Sequence, residues 1–173
     1  MDASFALHLV AFLRDPDAGF KNVEDTAAHL GIERSIAVAH PLRLVLRLLP
    51  ERAAFHLARR FKYHDPHSTA YYGWPLLVGE LIGEPTETDR EKARIHSGDW
   101  PYGRPKSPHV AHWASGWQHA VYAAERGLAC AYASKKRCYY ESDCIAREDR
   151  ERQWQIQLTI DTIELLSLNA KES

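Results

Sequence analysis

Ten histidines in a chain of 173 residues are the first feature that could do chemistry, because imidazole binds divalent metals and changes charge near neutral pH. His109 and His112 lie three residues apart and could share an ion from one side of a helix. His119 lies two helical turns beyond His112, roughly 10 Å away, too far to bind the same ion unaided. A complete site therefore needs ligands from the earlier chain, and His64 with Asp65 offers an imidazole and a carboxylate together. The metal set to be tested is His64, Asp65, His109 and His112. The three cysteines, Cys130, Cys138 and Cys144, are separated by seven and five residues, unlike the close pairs of structural zinc sites. Their odd number suits packed thiols in a reducing compartment.

His64-Asp65 resembles the paired ligands of metal-dependent phosphohydrolases of the helical HD type. That resemblance implies an all-helical hydrolase, although Pro66 breaks the helix that would carry the pair. No serine or cysteine stands in a nucleophile elbow, and no glycine-rich phosphate loop is present. Catalytic residues are accordingly assigned to none, and no cofactor is expected.

Composition narrows the classes further. The chain is 45% hydrophobic and 26% charged, the balance of an ordinary globular protein. With 22 basic against 23 acidic side chains, no global field draws it to nucleic acid or an anionic membrane. The N-terminus has no basic region before its apolar stretch, so no signal peptide is read, and the expected location is cytoplasmic. No apolar run approaches the roughly 18 residues of a membrane span.

The elements that would position these groups are all helical. Ala3 to Leu13 reads as an amphipathic helix closed by the Asp15-Pro16-Asp17 turn. In NVEDTAAHLGIERSIAVAH, Asn22 is placed to cap a helix through Leu30, Gly31 to turn the chain, and a second helix to run from Glu33 toward His40. This resembles a helix-turn-helix, with Glu33, Arg34 and Ser35 at the head of the would-be recognition helix but no basic cluster for phosphates. From Leu42 to Phe61, apolar residues interleave with Arg43, Arg47, Arg52, Arg59 and Arg60, and Pro50 splits the pattern into two helices with arginines on the solvated side.

Leu76 to Ile82 reads as a short helix, and Thr86 caps a polar helix through about Arg94. A Gly/Pro-rich connection then runs from Ser97 to Pro108. Loops of that length inside a compact domain are often functional. Asp99, Trp100, Tyr102 and Arg104 are thus assigned to a contact surface, joined by Tyr139 and Tyr140, since Trp, Tyr and Arg dominate interface energetics.

The dominant stretch is Ser107 to Ser134, read as one long helix capped by Ser107 and Pro108. Val110, Ala114, Trp117, Val121, Ala124, Leu128 and Ala131 form its apolar line. A last helix opens at Ser142 or Asp143, with a solvated REDRER segment and an apolar second half, and the NAKES tail frays. The long helix is expected to pack on this last one. The fold class is all-α: a small N-terminal helical hairpin region over 1–50, followed by a helical bundle over 51–173.

From the long helix onward, HAVYAAERGLACAYAS, RCYYESDC and AREDRERQWQIQLTIDTIELL resemble the alanine-rich helical immunity proteins carried by bacterial and phage genomes. Glu151, Arg152, Gln153, Trp154 and Gln155 match the closing element of that group. The resemblance implies a small cytoplasmic protein that binds and blocks another protein, without catalysis of its own. Apart from that resemblance, a homodimer is a further partner to be tested. A metal-dependent hydrolase and a helix-turn-helix DNA regulator stand as the alternatives.

Overall fold

The computed structural model describes residues 1–63, 77–91, 115–133 and 141–172, and among them every regular element is helical. α1 (Ala3–Arg14) begins where the Asp2 carboxylate accepts the Phe5 N–H at 3.0 Å, and it buries Ala6, Leu9, Val10, Phe12 and Leu13. That spacing is the inward stripe of an amphipathic helix. Asp15 ends α1 and caps α2 (Pro16–Gly19), in which Pro16 occupies the first turn, as its missing N–H allows. Gly19 folds α2 back so tightly that a β-carbon there would lie 2.6 Å from the Phe12 Cα.

After a single 3₁₀ turn, Phe20–Asn22, come α3 (Glu24–His29) and α4 (Arg34–Ala39). The expected cap position of α3 falls on Val23, without a side-chain hydrogen bond, because Asn22 belongs to the preceding 3₁₀ turn. Gly31, at φ 65°, makes the expected turn between α3 and α4, a left-handed conformation that glycine adopts without strain. α5 (Pro41–Leu48) and α6 (Glu51–Tyr63) are separated at Leu49-Pro50. Leu49 is extended there, as a residue before proline prefers to be.

α7 (Val78–Leu81) is the short helix expected in that region. A helical turn at 87–91 follows. Thr86 and Asp89 cap it reciprocally: the Thr86 hydroxyl accepts the Asp89 N–H at 3.1 Å, and the Asp89 carboxylate accepts the Thr86 N–H at 2.9 Å. α8 (Gly116–Ala133) does not continue an unbroken rod from Ser107, because Ser115 lies outside the helix. Ser115 and Gln118 hold the spacing of a capping box, and their side chains hydrogen-bond at 2.6 Å. The Ser107 start itself lies outside the described residues. α9 (Glu141–Glu172) spans 32 residues. Ser142 and Asp143 fall inside its first turn rather than at its cap, and the helix continues through Asn169 and Ala170 instead of fraying at the tail.

The core is one connected cluster. α6 contributes Ala53, Ala54, Phe55, Leu57, Ala58 and Phe61, and α9 contributes Leu158, Ile160, Ile163 and Leu166. α8 contributes the small residues Ala120, Ala123 and Ala124. It packs on α9, as expected of the two C-terminal helices, but its main neighbour is α6. The reason is size. Alanines on both α6 and α8 let the two axes approach closely, and at Gly116 a β-carbon would lie 2.5 Å from the Glu51 carbonyl oxygen. α1 packs along α9, and α5 packs on α8. Among the described residues no helix is long and apolar enough to cross a membrane.

Candidate functional site

The α3–α4 turn and the first two turns of α5 enclose a cleft of about 260 Å³. Its floor is apolar, built from Ile32, Ala37, Leu44 and Ile36, the last of which is 49% exposed. His40, Arg43 and Arg47 line it as well. The geometry follows from local sequence. Gly31 reverses the chain so that Ile32 and Ile36 approach α5, and Pro41 starts α5 directly after His40. Arg43 and Arg47, four residues apart, fall on one side of that helix.

Several arginines of the described residues are paired with acids. Arg14, Arg52, Arg90 and Arg152 each lie within salt-bridge distance of a carboxylate, on Glu164, Asp89, Glu51 and Glu148 respectively. Arg34 is paired with Asp17 and also sits 5.5 Å from the Phe20 ring centroid. Among the described residues neither Arg43 nor Arg47 has such a carboxylate. Arg47 instead lays its guanidinium over the Trp117 ring, 4.9 Å from the centroid. That contact orients the group without neutralising it. Such an arrangement favours an anion with an apolar portion.

A second polar cluster braces the 77–91 segment against α6. Arg52 donates through Nε to Asp89 at 3.2 Å and through Nη1 to the carbonyls of Gly79 and Ile82 at 3.2 and 2.8 Å. Burial pushes the Asp89 carboxyl up, but the two hydrogen bonds from Thr86 and the Arg52 guanidinium outweigh it and hold the group below its ordinary range. His56 is buried, and its Nδ1 lies 3.7 Å from Glu80 Oε2. Desolvation, then the neighbouring Arg60 and Arg59, lower its pKa to about 4. The ring is therefore neutral at pH 7, and its contact with Glu80 is not an ion pair there.

A third polar set lies between α8 and α9. Gln155, fully buried, donates from Nε2 to the Ala124 carbonyl at 3.0 Å and to Glu151 Oε1 at 3.1 Å. Gly127 leaves the space these groups fill. Arg147 and Glu151 are buried too, which corrects the reading of REDRER as wholly solvated. The arginines of α5 and α6 are likewise not a uniformly solvated side, since Arg47, Arg52, Arg59 and Arg60 are half-buried.

Asp99, Trp100, Tyr102, Arg104, Tyr139 and Tyr140 lie outside the described residues, as do His64, Asp65, His109 and His112. Among the described residues no group of three His, Cys, Asp or Glu side chains could hold a metal. His119 is buried with its ring 5.6 Å from that of Phe55. Cys144 is a half-buried free thiol that accepts from Arg147 Nη2 at 3.7 Å. His40, Arg43 and Arg47 were not assigned to a site from the sequence; the one signal that marks them is the absence of any acid between Glu33 and Glu51. No protein-family model, no curated protein and no solved structure matches this chain.

Proposed function

We propose that this chain is a non-catalytic protein-binding factor of the immunity or inhibitor type, and that the cleft between the α3–α4 turn and α5 is part of its partner surface. The observation that supports this reading is the composition of the cleft. An apolar floor with half-exposed Ile36 stands beside two arginines that no carboxylate of the described residues neutralises. Apolar anchors beside arginine are the typical makings of a binding hot spot. The resemblance of the C-terminal part to helical immunity proteins points the same way. Trp100, Tyr102, Arg104, Asp99, Tyr139 and Tyr140 are proposed as further contacts, to be tested by their own substitutions.

The test is affinity capture from a host extract with wild-type chain and Ile36→Asp as parallel baits, followed by quantitative mass spectrometry. A protein enriched by the wild type and lost on Ile36→Asp is the expected result. Equal capture by both baits would remove the cleft from the account.

A further inference from the structure

We propose that the cleft takes the C-terminal residue of a partner chain, an apolar side chain together with its free α-carboxylate. The inference rests on the protein-binding reading and names the group that reading leaves open. Three observations carry it. The cleft, about 260 Å³, is smaller than the roughly 300–1,000 Å³ pockets that enclose drug-sized ligands, so it suits one anchoring residue of a larger partner. Ile32, Ile36, Ala37 and Leu44 supply the apolar share of its lining and favour an apolar side chain, since a carboxylate seated against them, away from the two arginines, would lose water without a hydrogen-bond partner. Arg43 and Arg47 both line the same small volume, uncompensated by any carboxylate of the described residues, and they call for negative charge beside the apolar group.

An internal aspartate or glutamate carries its charge at the end of the side chain that would enter, the wrong place for this floor. A neighbouring internal acid points to the opposite side of a strand, or about 100° around a helix. Within a polypeptide, only the C-terminal residue bears a carboxylate on the same Cα as an apolar side chain. Paired with a guanidinium, that carboxylate makes the short charge-assisted hydrogen bonds for which arginine geometry is suited.

The experiment titrates the full chain with fluorescein-labelled Gly-Ser-Gly-Ser-Ala-Leu carrying a free C-terminus. The same peptide as the C-terminal amide, a version with internal Glu-Leu and an amidated end, and octanoate are run in parallel. The free acid is expected to bind at least tenfold more tightly than the amide or the internal-acid peptide, and Arg43→Gln, at an exposed position, is expected to remove most of that preference. Arg47→Lys keeps the charge and is expected to lose less. Circular dichroism of each variant confirms the fold. Equal binding of acid and amide, octanoate binding as tightly as the peptide, or no binding at millimolar peptide would each overturn the inference. Ile36-dependent capture of a partner, combined with failure of the free-acid peptide, would overturn it alone and leave the protein-binding reading standing.

Discussion

Gly116, the first residue of α8, rests against the main chain of Glu51, the first residue of α6, so closely that an added β-carbon would lie 2.5 Å from the Glu51 carbonyl oxygen and 3.0 Å from the Phe55 nitrogen. Backbone atoms cannot rotate aside as a side-chain tip can. The start of α8 is thus fixed on α6, and the face of α5 that carries Arg47 is fixed with it through Trp117.

Gly116→Ala is expected to lower stability by about 2–3 kcal/mol, net of a helix-propensity gain of at most about 1 kcal/mol. Thermal unfolding should show a drop of roughly 5–10 °C for a chain of this size. Gly79→Ala is the control. Nothing lies within 4 Å of a β-carbon there, and the melting temperature should hold or rise slightly.

Gly127→Ala tests the polar seam between α8 and α9. Its β-carbon would lie 2.9 Å from Gln155 Nε2 and 3.0 Å from Glu151 Oε1, displacing the amide from the Ala124 carbonyl. A loss of about 1–2 kcal/mol is expected. The two residues should couple: in a Gln155→Ala background, Gly127→Ala should become neutral or favourable, and additive losses in chemical denaturation would contradict the seam.

Arg52→Lys tests the brace on the 77–91 segment. A lysine ammonium lacks the planar fork that reaches Asp89, Gly79 and Ile82 at once. Hydrogen exchange of amides in 78–91 should accelerate about tenfold or more, while those of α9 change little. Uniform acceleration in both regions would show that Arg52 supports the whole core instead.

His56 gives the fold an acid-side slope. Its pKa is near 6.5 when unfolded and about 4 when folded, so the unfolded chain binds more protons between those values. Stability is then highest above pH 6.5 and falls as pH drops toward 4, by about 3 kcal/mol at most. The lowered Asp89 pKa acts in the same direction, its contribution being lost as pH falls through the carboxylate range. His56→Gln should flatten the slope between pH 6.5 and 4.5, and an unchanged slope in urea titrations would contradict the assignment.

Most helices were legible in the sequence because the cues are local. Pro50 splits α5 from α6, Gly31 turns α3 into α4, and the spacing of Phe5, Leu9 and Phe12 marks the inward side of α1. The pairing of α8 with α6 was not legible. Periodicity says which side of a helix is apolar, not which neighbour covers it, and the decisive fact is a glycine meeting a distant carbonyl. Arg147 and Glu151 were misread for a related reason. Inside a charged run, burial depends on a partner such as Gln155 and on the room Gly127 leaves, both set by tertiary packing. At the cleft, Arg43 and Arg47 follow helical spacing and were taken for solvent-facing charge, since only the fold shows that they line one cleft with Ile32, Ile36 and His40.

The account stands most directly on site-specific photo-cross-linking. With benzoylphenylalanine placed at Ile36 in the cleft, or as a comparison at Leu168, an exposed apolar position of α9, irradiation in host extract should give one discrete protein adduct from position 36 and none from 168. Adduct formation equal at both positions, or confined to 168, would contradict a partner surface at the cleft.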